Sequence, residues 1–165
     1  MAATKNAGAG ILSEANAAKR EEIVELLTQA YWMEMETVMS YLANASNLDG
    51  IRAEEVAEAL DEDVNEELGH ARAFAQRIKE LYGTPPGSAE FTSTQSFLQP
   101  PADPADVITV IKGVIEAESG AIEHYNRIIE ATDGVDWATQ DMVIDILRDE
   151  EGHLRKFERY LREFD

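Results

Sequence analysis

The arrangement of apolar residues in four long stretches most constrains the fold of this chain. Within each stretch, apolar residues recur at steps of three and four, which is the period of an amphipathic α-helix, and strand-like alternation is nearly absent. Turn-forming residues at 47–50, 83–87 and 133–134 separate the stretches. We therefore predict four helices of roughly 28 to 33 residues, each about 42 to 50 Å long. Their bounds are about 13–45, 51–83, 103–133 and 136 to near the C-terminus.

The connections between the predicted helices indicate their topology. Short turns join the first helix to the second and the third to the fourth, whereas a long connector, residues 83–102, separates the two pairs. We expect Asp103, followed by Pro104, to cap the third helix and Asp136 to cap the fourth. Two antiparallel hairpins joined by a crossover give an all-α, ferritin-like antiparallel four-helix bundle. We assign the bundle to residues 20–164 and an N-terminal extension to residues 1–19. The extension is either an arm between subunits or disordered, and docking of the connector on a neighbouring subunit through Phe91 and Phe97 is left open.

The charge of the chain excludes several classes of function. The sequence has 33 acidic and 14 basic residues, a formal net charge of −19. Nucleic-acid phosphates require clustered Lys and Arg, so DNA binding is not expected, and anionic membrane surfaces should repel the chain. Without cysteine there is no disulfide and no thiolate metal site. Since no apolar run resembles a signal sequence or a membrane span, we expect a cytoplasmic protein without a membrane partner.

Each predicted apolar stripe is interrupted near its middle by a carboxylate. The four residues concerned are Glu34, Glu67, Glu118 and Glu150. A buried carboxylate without a counter-charge costs several kcal/mol, and the chain has only three histidines and few interior basic residues to supply one. Metal cations supply such a counter-charge. The stripes therefore predict a metal site at mid-height in the bundle.

The spacing of two histidines supports this interpretation. His70 follows Glu67 by three residues and His153 follows Glu150 by three, so each pair shares a helix face. One Glu from each of two helices, with Glu-x-x-His from the other two, is the ligand set of a di-iron carboxylate bundle. Carboxylate oxygen with some imidazole suits iron or manganese better than structural zinc. We predict that the metal ligands are Glu34, Glu67, His70, Glu118, Glu150 and His153.

An internal repeat places a tyrosine at the same spacing in both hairpins. Tyr41 lies seven residues after Glu34, and Tyr125 lies seven after Glu118. We interpret both tyrosines as core residues or as hydrogen-bond donors to a ligand carboxylate. The repeat also favours Glu118 over the nearby Glu116 as the ligand of the third helix.

Several other residues near the stripes are not predicted to be metal ligands. Gly69 and Gly152, each directly before a predicted histidine ligand, indicate close packing beside the site, because glycine inside a helix costs roughly 1 kcal/mol. His124 is expected at the surface, and Asp63, one turn before Glu67, is left open as a residue on an ion path. Four further carboxylates are expected to be solvated: Glu36, Glu66, Glu116 and Glu151.

Residues 139–153, TQDMVIDILRDEEGH, closely resemble the fourth helix of bacterioferritins. The Glu-x6-Tyr-Leu of the first helix and the Glu-x-x-His-Ala of the second also match, so that the resemblance to bacterioferritin and Dps-like proteins covers roughly residues 20–160. It implies that Glu67 and Glu150 bridge two irons, that Glu34 and Glu118 are terminal ligands, and that each histidine ligates one iron. It further implies a ferroxidase that oxidises Fe(II) with dioxygen or hydrogen peroxide, and iron storage in a homo-oligomeric shell of 12 or 24 subunits.

The chain also departs from these families. Leu68 stands where bacterioferritins carry the methionine that binds haem, which argues against haem here. We do not expect the short fifth helix of 24-subunit bacterioferritins, and the cysteine pair usual in archaeal Dps-like proteins is missing. The alternatives are a non-storage di-iron or di-manganese peroxidase or catalase, a Dps-like stress-protection shell, and a metal-free structural bundle. The oxidant, the choice between iron and manganese, and the size of the oligomer remain open at this stage.

Overall fold

A computed structural model describes residues 10–164 and contains four long α-helices. These are α1 (Ala17–Asn47), α2 (Ile51–Glu80), α3 (Val107–Thr132) and α4 (Trp137–Leu161). Three short 3-10 helices lie at Glu14–Asn16, Ser88–Glu90 and Ser96–Leu98, and the described residues contain no strand. The all-α four-helix bundle with a crossover between the second and third helices is therefore confirmed.

The core consists of two apolar clusters, one toward each end of the bundle. α1 packs along α2 and α3 along α4, and α1 also contacts α3. Burying each large apolar side chain stabilises the fold by about 1.5–3 kcal/mol. One cluster includes Tyr41, Leu60, Ile111, Val114 and Phe157, and the other includes Leu27, Phe74, Ile78, Tyr125 and Ile128. None of the described helices has both the length and the apolarity that crossing a membrane requires.

The N-termini of α3 and α4 are capped in the same way. The Asp136 carboxylate accepts a hydrogen bond from the backbone N–H of Thr139 at 3.1 Å, which confirms its predicted capping role. For α3 the prediction of Asp103 is wrong, because Asp106 accepts the equivalent bond from Thr109, also at 3.1 Å. Asp103 instead accepts a hydrogen bond from the backbone N–H of Ala105, within a turn that precedes the helix.

The connector between α2 and α3 is fixed to its own chain. The Glu36 carboxylate is 4% exposed and accepts hydrogen bonds from the backbone N–H groups of Thr94 and Gln95, both at 2.7 Å. Glu36 is thus buried, and the prediction that it is solvated is wrong, because the connector folds over it. The ring of Phe91 lies 5.3 Å from that of Trp32 on α1. A Cβ atom at Gly113 would lie 2.6 Å from the carbonyl oxygen of Phe97, so the connector passes close to α3.

The segment before α1 also packs against the bundle. Ile11 is 6% exposed and belongs to the apolar cluster around Leu27. The Arg20 guanidinium donates hydrogen bonds to the carbonyl oxygens of Ile11 and Ser13 at 3.0 and 2.9 Å. Ile11 and Ser13 of the predicted N-terminal extension are therefore held by the bundle, and residues 17–19 already belong to α1. The remainder of the extension, residues 1–9, lies outside the described residues.

Candidate metal centre

The six predicted ligands meet in one layer between the two apolar clusters. Each helix contributes one carboxylate from its middle, and all four carboxylates are at most 2% exposed. His70 and His153 lie one turn after the glutamates of α2 and α4 and are also buried. The structure therefore brings together Glu34, Glu67, His70, Glu118, Glu150 and His153.

Glu67 and Glu150 lie between the two histidines. Oε2 of Glu67 is 3.3 Å from Nδ1 of His70, and its Oε1 is 3.1 Å from Nδ1 of His153. Oε1 of Glu150 is 3.1 Å from Nδ1 of His70, and its Oε2 is 3.4 Å from Nδ1 of His153. Each of these two carboxylates thus presents one oxygen to each histidine.

The other two glutamates each face one histidine. Glu34 Oε1 lies 3.7 Å from Nδ1 of His70, and Glu118 Oε1 lies 3.9 Å from Nδ1 of His153. The centre consequently has two related halves that share two carboxylates. Within each half, the potential ligand atoms lie within 4.8 Å of one another. The halves are Glu34, Glu67, His70 and Glu150, and Glu67, Glu118, Glu150 and His153.

The donor atoms of this centre fit divalent iron or manganese. Carboxylate oxygens with imidazole nitrogen are ligands that both metals accept, and the set contains no sulfur. Oε1 of Glu67, Oε1 of Glu150 and Nδ1 of His153 are buried, and although histidine and carboxylate atoms approach to 3.1 Å, these three atoms form no hydrogen bond of good geometry among the described residues. Polar atoms buried in this way are costly unless something else binds them. The residues present therefore fit a pair of cations.

Without a cation, the centre retains protons. Burial raises the pKa of Glu34 and of Glu118 well above the usual glutamate range, and the charges of Glu67 and Glu150 raise both further. Burial alone would lower the histidine pKa values. The carboxylates of Glu150 and Glu67 instead raise the pKa of His70 to about 10 and that of His153 to about 12. Binding of cations must therefore compete with protons.

Two tyrosines hold the outer glutamates in place. The Tyr41 hydroxyl donates to Glu118 Oε1, and the Tyr125 hydroxyl donates to Glu34 Oε1. Both tyrosines are fully buried and each donates to one of the glutamates predicted as ligands, so the two interpretations of these tyrosines, as core residues or as hydrogen-bond donors, hold together. Each tyrosine reaches a glutamate of the other hairpin, which links the two halves of the bundle.

The far side of each histidine ring contacts a second carboxylate. Nε2 of His70 lies 3.2 Å from Oδ2 of Asp149, and Nε2 of His153 lies 3.0 Å from Oε2 of Glu66. A carboxylate at one ring nitrogen fixes the ring with its other nitrogen toward a metal. The side chains of Glu66 and Asp149 are 48% and 44% exposed, so they also extend the acidic centre to the surface. The contacts with the histidines are not predicted from the sequence, although each carboxylate directly precedes a predicted ligand glutamate.

Asp63 and Lys156 make the two halves of the centre unequal. Nζ of Lys156 lies 2.7 Å from Oδ1 of Asp63, which is 3.8 Å from Nε2 of His153. Asp63 is 3% exposed. The position in α4 that corresponds to Asp63, four residues before Glu150, is Ile146, so the half around His70 has no such pair.

Several other sequence interpretations are resolved by the structure. The prediction of a surface His124 is wrong: the ring is fully buried, and its Nε2–H donates to the carbonyl oxygen of Leu26 at 2.8 Å, outside the ligand cluster. The prediction of close packing at Gly69 and Gly152 is also wrong. Both glycines lie on the outward faces of their helices, and a Cβ atom at either position would meet nothing within 4 Å. The three other carboxylates expected to be solvated are exposed: Glu66, Glu116 and Glu151.

Comparisons with known proteins identify several relatives of this chain. A family model for the ferritin-like domain matches residues 24–165. The DNA protection during starvation protein of Pyrococcus furiosus is 31% identical over 144 residues, which cover 86% of this chain and 77% of the relative. The bacterioferritin of Desulfovibrio desulfuricans is 26% identical over 141 residues, which cover 85% of this chain and 74% of the relative.

A solved structure supports the same relationship. The bacterioferritin-related protein from Bacteroides fragilis, a dodecameric thioferritin, has a TM-score of 0.78 against this chain. The two sequences are 26% identical, and the match covers 88% of this chain and 87% of the other.

Proposed function

The chain belongs to the ferritin-like domain family, and from this premise we propose that it is a ferroxidase that stores iron in a hollow homo-oligomeric shell. The observation that carries the proposal is the pair of four-residue ligand groups that share Glu67 and Glu150. This sharing suits two metal ions held side by side. The bacterioferritin and the DNA protection protein among its relatives support a role in iron handling and stress protection.

In the proposed reaction Fe(II) is the substrate, and each of two Fe(II) ions gives one electron to the oxidant. With hydrogen peroxide, two Fe(II), one peroxide and two protons give two Fe(III) and two waters. With dioxygen, two Fe(II), one dioxygen and two protons give two Fe(III) and one hydrogen peroxide. The four glutamate carboxylates of the centre balance the four positive charges of two Fe(II) ions.

The other residues of the centre position these ligands. Tyr41 and Tyr125 fix the outer carboxylates, while Glu66 and Asp149 fix the histidine rings. Preorganised ligands of this kind reduce the rearrangement that metal binding requires. Because Glu66 and Asp149 are half exposed, they also provide carboxylates between the surface and the centre. The net charge of −19 attracts Fe(II) toward the protein.

Removal of both shared ligands tests the ferroxidase proposal. The double variant Glu67→Ala, Glu150→Ala should lose rapid Fe(II) oxidation, followed by stopped-flow absorbance, while circular dichroism shows a retained helical bundle. The matched control is Glu116→Ala, Glu151→Ala, which removes two exposed carboxylates from the same bundle and should oxidise Fe(II) at the wild-type rate. Unchanged oxidation in the first variant would refute the assignment.

The size of the assembly distinguishes storage from the alternative of a small di-iron or di-manganese peroxidase. A closed shell has a mass of about 220 kDa for twelve chains of 18.3 kDa and about 440 kDa for twenty-four. The dodecameric relative from Bacteroides fragilis favours twelve. Native mass spectrometry should give one of these values, whereas a dimer would favour the small enzyme.

A further inference from the structure

A small cavity lies beside the four carboxylates, on the side of α1 and α3. Its volume is about 10 Å³, which is enough for one water-sized molecule. Besides the carboxylates, its lining consists of Met33 and Thr37 of α1, Ala117, Ala121 and Tyr125 of α3, and Gln95 of the connector. Neither histidine ligand lines it. The cavity therefore opens onto the face of the centre that the histidines leave free.

Gln95 is held rigidly at this cavity. Its backbone N–H donates to the buried Glu36 carboxylate at 2.7 Å, and its side-chain Nε2 donates to Oγ1 of Thr37 at 2.8 Å. Gln95 is 5% exposed. Its Oε1 is buried and has no hydrogen-bond partner among the residues that the structure describes. The carboxamide thus has one end fixed by Thr37 and one unpaired end at the wall of a cavity next to the metal ligands.

We propose that Gln95 binds the oxidant and selects hydrogen peroxide over dioxygen, an inference that rests on the proposed ferroxidase function. The unpaired carboxamide oxygen is a hydrogen-bond acceptor. Hydrogen peroxide carries two O–H donors that satisfy it, whereas dioxygen carries none. The bound peroxide takes one electron from each of two Fe(II) ions, its O–O bond breaks, and two protons from solution complete two water molecules. Glu36 and Thr37 act as positioning residues, because they hold the carboxamide but are not themselves proposed to contact the oxidant.

The substitution Gln95→Leu tests this role, since leucine is similar in size but cannot form hydrogen bonds. Fe(II) oxidation is measured by stopped flow with peroxide under anaerobic conditions and separately with dioxygen. Loss of one hydrogen bond should slow the peroxide reaction about tenfold, while the dioxygen reaction stays near the wild-type rate. Thr37→Val, which frees the carboxamide, should shift the ratio of the two rates in the same direction and serves as the second test if Gln95→Leu does not fold.

The control is Gln99→Leu. Gln99 lies in the same connector and donates to the backbone carbonyl oxygen of Gln95 at 2.9 Å, but it does not line the cavity. This variant should keep the wild-type ratio of rates. If Gln99→Leu lowers the ratio as much as Gln95→Leu does, the effect comes from a loosened connector and the inference is overturned.

Two further measurements are independent of turnover. Titration with Co²⁺, followed by its absorption spectrum, should give the wild-type stoichiometry in all three variants. Crystals loaded with Zn²⁺ and soaked in hydrogen peroxide should show peroxide within hydrogen-bond distance of Gln95 in the wild type and not in Gln95→Leu. Intact Co²⁺ binding with an unchanged rate ratio in Gln95→Leu would overturn this inference alone. Failure of the wild type to bind Co²⁺ would overturn the proposed function and the inference with it.

Discussion

Loading the centre with two divalent cations should release protons. In the metal-free protein, His70 has a pKa of about 10 and His153 a pKa of about 12, because the carboxylates of Glu150 and Glu67 outweigh the effect of burial. Both histidines therefore carry an extra proton at pH 7. A metal ligand must be deprotonated at the coordinating atom, and Nδ1 of each ring faces the shared carboxylates. Each histidine must lose one proton when the metal binds.

The expected number of released protons follows from the charges of the centre. The two histidines account for two protons per chain. Glu34 and Glu118, whose pKa values are raised by burial and by Glu67 and Glu150, account for up to two more. Each released proton makes the overall binding constant for the two ions rise about tenfold per pH unit. Raising the pH from 6 to 7 should therefore increase the product of the two binding constants by about 100-fold to about 10,000-fold, which is about 10-fold to about 100-fold for each ion.

The assay is isothermal titration calorimetry with Zn²⁺, which undergoes no redox reaction. Titrations in buffers of different ionisation enthalpy give the number of protons released per chain, and titrations at several pH values give the slope of the affinity. We expect between two and four protons. Release of fewer than one proton, or an affinity that does not change with pH, would refute the assignment of the histidines as ligands.

Three further perturbations have expected outcomes. Glu118→Ala should reduce bound Co²⁺ from two ions to one per chain and Glu67→Ala from two to none, because Glu67 belongs to both halves of the centre and Glu118 to one; equal losses in absorbance titrations would contradict this. Lys156→Met leaves the buried Asp63 carboxylate without the lysine that it binds. This should lower the free energy of unfolding of the metal-free protein, measured in urea, by about 1–3 kcal/mol. An unchanged midpoint of urea unfolding would mean that the ion pair is not stabilising. Asp106→Ala removes the cap of α3 and should cost about 0.5–2 kcal/mol at pH 7. Because hydrogen bonds from Thr109 lower the pKa of Asp106, this difference should be lost as the pH falls through that lowered pKa, and a difference that persists in strong acid would argue against a capping carboxylate.

The fold follows from the sequence because helix period and turn residues are local signals. The error at the start of α3 shows where such signals compete. Asp103-Pro104 resembles a helix start, since proline suits the first turn. The pattern Asp106-x-x-Thr109, however, repeats Asp136-x-x-Thr139 of α4, and in both the aspartate accepts from the backbone N–H of the threonine. This shared Asp-x-x-Thr pattern is the sequence signal that could identify Asp106 as the capping residue of α3.

The ligands of the centre are predictable for the same reason, since residues three, four or seven apart on one helix share a face. Contacts across elements are not predictable in this way. His124 lies about 100° around α3 from Tyr125, which suggests exposure, but the backbone of α1 at Leu26 covers it. Gln95 and Glu36 are paired through a connector that has no periodic pattern, so their contact depends on the assembled bundle.

Diffraction from crystals soaked anaerobically in Fe(II), recorded on both sides of the iron absorption edge, tests the central claim most directly. The account predicts two anomalous peaks per chain, about 3.5–4 Å apart. Both should lie between Glu67 and Glu150, one next to His70 and the other next to His153. Iron found only at exposed carboxylates, with no peak among the six buried ligands, would contradict it.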